Sequence, residues 1–177
     1  MANLDDMPLI YLGEPFEAEH PRLYRNRGNL TFEELASEVG LDRIILPMGA
    51  NFGDLDNDGW LDAYFGTGMP DMRTLLPNRM MRNDGGTRFV DVTSSGGFGT
   101  VQKGHGISFG DIDHDGDQDI YQVLGAAFEG DVYENALLEN PGHGHRWLSL
   151  ELEGVVSHRD AIGARIHVSV ESEDGER

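Results

Sequence analysis

Short stretches of alternating apolar and polar residues, separated by glycine-containing turns, run through most of this 177-residue chain. The alternation has the two-residue period of β-strands with one buried face. It predicts strands at Leu23–Asn26, Thr31–Leu35, Met48–Phe52, Leu61–Phe65, Met80–Asn83, Arg88–Val92, Gly106–Phe109 and Ile120–Leu124. Thr31–Val39 also contains helix formers, but its counterpart Phe89–Ser95 contains β formers, which favours a strand followed by a turn. The pattern predicts an all-β fold.

The pattern also repeats along the chain, with equivalent residues 57 positions apart. Asn26, Asn83 and Asn140 are equivalent in this alignment, and Gly49 corresponds to Gly106. We therefore divide the chain into a lead-in at 1–21, a first repeat at 22–78, a second repeat at 79–135 and a final module at 136–177. Each full repeat contains four predicted strands, which is typical of a β-propeller blade. Two blades cannot close a propeller, so we expect part of one.

The final module has a different sequence pattern from the two repeats. Trp147–Leu152 and Ala161–Val170 alternate apolar and polar residues without the acidic loop that each repeat contains. They predict strands at the start of a second β-rich module. The polar segment Glu171–Arg177 ends the chain before a partner strand for them appears. We therefore expect the chain to be a fragment of a longer protein.

Each repeat contains a nine-residue acidic loop of the pattern D-x-D-x-D-G-x-x-D, preceded by a Phe-Gly pair. The first loop is Asp54–Asp62 and the second loop is Asp111–Asp119. Oxygen ligands at alternate positions, with a glycine at position 6 to turn the chain, suit a calcium ion. The predicted ligands are Asp54, Asp56, Asp58, the carbonyl of Trp60 and Asp62 in the first loop, and Asp111, Asp113, Asp115, the carbonyl of Asp117 and Asp119 in the second.

The hard oxygen ligands favour calcium over zinc or copper, and magnesium is disfavoured because it requires tight octahedral geometry. An EF-hand would place a bidentate glutamate at position 12 and a helix on each side of the loop. Position 12 is Phe65 in one loop and Gln122 in the other, and both flanks have the pattern of strands. We predict two structural calcium sites within β-hairpins. Aspartate–glycine turns without an ion are the alternative.

The composition excludes several classes of protein. A net charge of −19 argues against nucleic acid and anionic membrane surfaces as partners. The absence of cysteine excludes disulfides, thiolate metal sites and cysteine nucleophiles. No apolar run approaches the ~18 residues of a transmembrane helix, so we predict no membrane insertion. The first residues do not form a secretory signal, which leaves a cytoplasmic protein, a processed protein or a missing upstream segment as alternatives.

The Phe-Gly pair followed by D-x-D-x-D-G-x-x-D resembles the FG-GAP or VCBS repeat, which also occurs in integrin α-subunit propellers. The segments Leu23–Asn26 and Arg159–Arg165 resemble a narrower group, the bacterial VCBS-repeat proteins that end in an ASPIC/UnbV domain and are related to cartilage acidic protein. This resemblance implies a seven-bladed propeller with calcium in its blade loops. It also implies export from the cell and a role in binding or adhesion. The chain departs from that pattern in its two full repeats and its shortened ASPIC/UnbV-like segment.

These features predict a non-enzymatic, calcium-binding repeat module that recognises a protein or a glycan and is extracellular, periplasmic or on the cell surface. No nucleophile-elbow, phosphate-binding-loop or H-E-x-x-H motif is present. One alternative is an accessory propeller of a hydrolase or lyase that acts on polysaccharide. Such an enzyme would need a pair of acids across a cleft. A second alternative is a spacer without a ligand within a larger surface protein.

Overall fold

The chain folds into two compact units, Met1–Arg146 and Trp147–Arg177. The computed structural model describes residues 6–16, 19–69, 75–125, 129–144, 146–156, 158–169, 171–172 and 175–176. Parts of the predicted lead-in, residues 1–5 and 17–18, lie outside the described residues. The second unit begins at Trp147, whereas the sequence pattern places the start of the final module at residue 136.

The regular secondary structure of the described residues is mainly β-strand. One short helix, α1 (Asp6–Leu12), lies in the lead-in and was not predicted. The strands are β1 (Tyr24–Gly28), β2 (Thr31–Glu34), β3 (Pro47–Gly53), β4 (Asp62–Thr67), β5 (Arg79–Asp84), β6 (Arg88–Asp91), β7 (Gly104–Gly110), β8 (Asp119–Leu124), β9 (Ala136–Leu138), β10 (Glu171–Ser172) and β11 (Gly175–Glu176). The predicted strands between residues 23 and 124 are all present, and turns follow β2 as expected. The all-β fold class is confirmed.

All strand pairs among the described residues are antiparallel. The sheets have the orders β1-β2, β3-β4-β5-β6, β7-β8-β9 and β10-β11. The four-stranded sheet takes β3 and β4 from the first repeat and β5 and β6 from the second. Its central pairing joins Ala63 to Met81 and Tyr64 to Met80 across the boundary at residue 78. Sheets and sequence repeats are therefore out of phase, and each repeat is hydrogen-bonded to the next.

Strand β4 is buried along its whole length because both faces of its sheet are covered. Successive side chains of a strand point to opposite faces. Ala63 and Phe65 thus pack into one apolar cluster, with Leu35, Val39 and neighbouring residues. Tyr64 packs into another, together with Met80, Ile107 and Ile120. This second cluster lies between the four-stranded and three-stranded sheets, so β4 contributes to both cores.

Strands β3 and β7 pack closely against each other. The Asn51 side-chain amide donates a hydrogen bond to the Ile107 carbonyl oxygen at 2.9 Å. At Gly49, a Cβ atom would lie 1.6 Å from the His105 carbonyl oxygen, which is far inside van der Waals contact. The glycine at position 49 is explained by this approach of two backbones.

The predicted strands of the final module do not form within the described residues. Trp147–Leu152 and positions 161–169 are not hydrogen-bonded into a sheet, and Val170 lies outside the described residues. A strand needs a partner for its backbone N–H and C=O groups, which an alternating pattern cannot supply by itself. The short hairpin β10-β11 instead occupies the segment that was expected to be a polar turn.

In the part of the chain that the structure describes, there is no helix long and apolar enough to cross a membrane.

Gly49→Ala should lower the free energy of unfolding by about 3 kcal/mol or more, because the new methyl group meets backbone rather than a movable side chain. Gly106→Ala is the matched control at the equivalent repeat position. Its Cβ would have Val123 Cγ2 as its nearest neighbour, at 3.6 Å, so we expect a change within about 0.5 kcal/mol. Urea unfolding of both variants tests this. Equal losses at the two glycines would contradict the close approach of β3 and β7.

Candidate metal centres

Each acidic loop closes a hairpin between two strands of one sheet. The first loop connects β3 to β4, and its closing pair is Gly53 with Asp62. The second loop connects β7 to β8, and its closing pair is Gly110 with Asp119. Position 9 of each loop is thus the first residue of a strand, which holds the end of the loop in a defined place. The hairpin setting predicted for the loops is confirmed.

The two loops follow the same backbone path. Position 4 adopts a left-handed conformation in both, at Asn57 (φ 52°) and His114 (φ 65°). Position 6 does so as well, at Gly59 (φ 90°) and Gly116 (φ 96°). A side chain at position 6 would be strained, which explains the glycine of the motif.

The aspartate at position 1 holds the turn together. Asp54 accepts hydrogen bonds from the backbone N–H groups of Asp58, at 3.0 Å, and Gly59, at 2.9 Å. In the second loop, Asp111 accepts the equivalent bonds from Asp115 and Gly116, both at 3.1 Å. A carboxylate oxygen has more than one lone pair, so these bonds leave capacity for a cation.

The aspartate at position 5 caps the next peptide in the same way in both loops. Asp58 Oδ1 accepts a hydrogen bond from the Trp60 backbone N–H at 2.8 Å. Asp115 Oδ1 accepts one from the Asp117 backbone N–H at 2.9 Å. These bonds fix the peptides that precede the position-7 carbonyls, the predicted backbone ligands of Trp60 and Asp117.

The aspartate at position 9 links its loop to another part of the chain. Asp62 Oδ2 accepts the Leu55 N–H at 2.9 Å, and its Oδ1 accepts the Asn83 N–H at 2.7 Å. The pattern recurs in the second loop, where Asp119 accepts the N–H groups of Ile112 and Asn140, each at 2.9 Å. Both carboxylates are buried. Each one joins position 2 of its loop to an asparagine further along the chain, near the end of β5 for Asn83 and just after β9 for Asn140.

Asn83 and Asn140 complete this link, and the sequence-based site did not include them. The Asn83 side chain donates to the Leu61 carbonyl at 3.1 Å, and Asn140 donates to the equivalent Gln118 carbonyl at 3.2 Å. A signal was present, because Asn26, Asn83 and Asn140 recur at the repeat spacing. An alternating pattern cannot indicate that a residue distant in sequence is hydrogen-bonded to an acidic loop.

The structure brings six of the ten predicted ligands together in two groups. Within each group, one carboxylate oxygen from each residue lies within 4.8 Å of the others. The groups are Asp54, Asp56 and Asp62 in the first loop, and Asp111, Asp113 and Asp115 in the second. The side chains of Asp58, Asp117 and Asp119 lie outside these groups, which consist of side-chain atoms and so do not include the predicted backbone carbonyls of Trp60 and Asp117. Asp58 and Asp119 are held by the backbone bonds described above, and Asp117 faces the first loop.

Burial and crowding raise the pKa of two carboxyl groups in the first loop. Burial raises the pKa of Asp62 to about 6. Burial also raises the pKa of Asp56, with smaller contributions from the carboxylates of Asp58 and Asp54. Both shifts disfavour the ionised form in the metal-free chain. A cation among these oxygens would favour ionisation instead.

The residues present fit a hard divalent cation. The donors of both groups are carboxylate oxygens, without nitrogen or sulfur, which is the ligand set that calcium prefers. The shared backbone path also brings three carboxylates together in each loop, at positions 1, 3 and 9 in the first and at positions 1, 3 and 5 in the second. An acidic surface patch would not need the same conformation in two loops.

The sequence profile of the FG-GAP-like repeat matches residues 3–65 and 68–121, which is most of the chain. The chain belongs to the FG-GAP-like repeat family. Each FG-GAP-like match ends just after an acidic loop, within β4 or β8, so its bounds are shifted from the repeats at 22–78 and 79–135. Comparison with curated proteins gave no match.

The titration of Asp62 predicts opposite pH effects with and without calcium. Since the pKa of folded Asp62 lies above its ordinary value, protonation stabilises the metal-free fold, and this stabilisation is lost as the pH rises through about 6. Calcium requires the ionised form, so its effect on Tm should grow over the same range. Tm measured from about pH 5 to 7.5, with calcium and with chelator, tests both trends.

Asp62→Asn is the control for this titration, because its side chain carries no titratable proton. The difference in Tm between the wild type and Asp62→Asn should change around pH 6 in chelator. A constant difference across that range would show that Asp62 does not titrate there.

Proposed function

We propose that this chain is a calcium-binding part of a β-propeller that recognises a protein or a glycan without catalysing a reaction. The observation that carries the proposal is the pair of loops with one backbone path and one hydrogen-bond pattern, each gathering three carboxylates. Membership of the FG-GAP-like repeat family adds support, because these repeats often bind calcium.

Calcium would supply a positive charge that offsets the repulsion among the loop carboxylates. Asp54, Asp56 and Asp62 would hold it in the first loop. In the second loop, Asp111, Asp113 and Asp115 would hold it. Asp58, Asp119 and the carbonyls of Trp60 and Asp117 remain proposed ligands. The chain's own residues then keep the hairpin closed and set the position of the strands on either side.

A structural role for the ions agrees with how the carboxylates are used. The aspartates at positions 1, 5 and 9 accept backbone N–H bonds within or behind their loops. Groups held in this way support the fold, whereas catalysis by a metal requires an open coordination position for water or substrate. We therefore assign the loops to stability and the binding of partners to other surfaces of the propeller.

A location outside the cytoplasm suits this role. Extracellular calcium modules bind the ion with low affinity and are occupied because the calcium concentration around them is high. The charge of −19 disfavours nucleic acid as the partner. We propose an extracellular, periplasmic or surface-bound protein that uses the propeller for adhesion or recognition.

We also propose that the second unit is related to the ASPIC/UnbV domain, as in the proteins related to cartilage acidic protein. This rests on the sequence Arg159–Arg165, which lies within the compact unit Trp147–Arg177. The segment contains a turn in which Ala161 (φ 49°) and Gly163 (φ 90°) take left-handed conformations. The Ala-Ile-Gly-Ala-Arg sequence thus has a local conformational role that a homologous domain would share.

Thermal unfolding with calcium, magnesium or chelator tests the calcium assignment. A ligand that binds only the folded state stabilises it by about 2.7 kcal/mol per site at a hundredfold excess over Kd. For a chain of this size that corresponds to a rise in Tm of roughly 5–10 °C per site. We expect this rise with calcium, a smaller one with magnesium, and none in Asp56→Ala/Asp113→Ala.

The double variant Glu38→Ala/Glu129→Ala is the matched control. It removes the same charge from exposed positions outside both loops, so it should retain the full calcium effect. A cooperative transition that does not respond to calcium, or an equal loss of the effect in both double variants, would contradict the assignment.

A further inference from the structure

The two acidic loops are hydrogen-bonded to each other. The side-chain amide of Asn57, at position 4 of the first loop, donates to the Gly116 carbonyl oxygen of the second loop at 3.1 Å. The same amide nitrogen also donates to Asp117 Oδ1. Asp117 is buried, so this contact is shielded from water and is stronger than a similar bond at the surface.

Asn140 makes a second bridge between the loops. Its side-chain amide donates to the Leu55 carbonyl of the first loop at 2.7 Å and to the Gln118 carbonyl of the second at 3.2 Å. Its backbone N–H donates to Asp119 Oδ1 at 2.9 Å. Asn83, its repeat equivalent, makes the corresponding bonds to Asp62 and to the Leu61 carbonyl of the first loop. Asn140 therefore joins two loops that lie in different sheets.

The Asn57 bridge connects directly to the candidate ligands on both sides. In the second loop, Gly116 donates its N–H to Asp111 Oδ2 at 3.1 Å, and Asp117 donates its N–H to Asp115 Oδ1 at 2.9 Å. In the first loop, the peptide after Asn57 donates the Asp58 N–H to Asp54 Oδ1 at 3.0 Å. An unbroken chain of bonds runs from one carboxylate group to the other.

We propose that the two loops bind calcium with positive cooperativity, transmitted by the side chain of Asn57. This rests on the calcium function proposed above. A cation that orders the second loop fixes the Gly116 carbonyl and the Asp117 carboxylate in place as acceptors for Asn57. Asn57 then holds the peptide that positions Asp54, so the first loop has less conformational freedom left to lose on binding. Linkage makes the effect reciprocal.

Charge acts in the opposite direction. An ion in one loop reduces the negative potential that attracts a second ion to the other, which by itself produces negative cooperativity. This through-space effect weakens with added salt, and it does not need the Asn57 amide. The sign of the coupling and its dependence on Asn57 therefore distinguish the two mechanisms.

A double-mutant cycle on the 177-residue chain tests the proposal. Asp113→Asn/Asp115→Asn disables the second loop, and the calcium affinity of the first loop is then read from the fluorescence of Trp60, which lies within it. Trp147→Phe removes the other tryptophan. The affinity is measured with and without a functional second loop, in the wild-type and Asn57→Gly backgrounds. Glycine tolerates the left-handed conformation of position 57, so this change removes the amide without backbone strain.

His114→Gly is the matched control, since His114 occupies position 4 of the second loop in the same conformation. Among the described residues it makes no hydrogen bond to the first loop. Calorimetric titration with calcium gives the number of sites in every variant, and circular dichroism verifies that each variant is folded.

With Asn57 present, disabling the second loop should lower the calcium affinity of the first loop about fivefold or more, which is the lower end of typical allosteric couplings. The effect should vanish in Asn57→Gly, persist in His114→Gly and survive about 0.5 M salt, which screens exposed charges. If the calcium affinity of the first loop is unchanged or higher when the second loop is disabled, or if the coupling persists in Asn57→Gly, the proposed cooperativity is overturned but the calcium function is not. Absence of calcium binding in the wild type would overturn the proposed function as well.

Discussion

The buried carboxylate at position 9 of each loop is the contact on which the rest of this structure depends. Asp62 accepts one backbone N–H from its own loop and one from the end of β5, and Asp119 does the same between the second loop and the chain after β9. Hydrogen bonds to a charged group are stronger than neutral ones. Each carboxylate therefore closes a hairpin and at the same time fixes the next strand relative to it.

Polar groups that are buried by the packing of this fold must also find hydrogen-bond partners. The Tyr64 hydroxyl donates to the Phe98 carbonyl at 2.9 Å. The buried side chain of Asn78 accepts a hydrogen bond from the Thr67 backbone N–H and donates one to the Thr100 hydroxyl. Lys103 forms a buried ion pair with Asp131 at 2.8 Å. Such contacts add modest net stability, but each one is costly to leave unsatisfied. They favour one arrangement of the strands and their connecting segments over alternatives with the same apolar burial.

Much of the fold and of the candidate site was accessible from the sequence because the relevant signals are local. The period of two predicted the strands between residues 23 and 124, and the spacing of aspartate and glycine predicted the loops within hairpins. The predictions for Trp147–Leu152 and positions 161–169 were wrong, because an alternating segment becomes a strand only when another strand accepts its hydrogen bonds. The helix α1 lies in a segment to which no pattern was assigned.

The sequence by itself determined the hairpins and their carboxylate loops, since a turn, a strand and a ligand spacing depend on residues only a few positions apart. Tertiary structure alone decided that the four-stranded sheet takes strands from both repeats, and that Asn83 and Asn140 are hydrogen-bonded to the acidic loops. It also decided that Asn57 reaches from one loop to the next. These contacts join residues distant along the chain. They are selected by the packing of whole sheets, which no local pattern encodes.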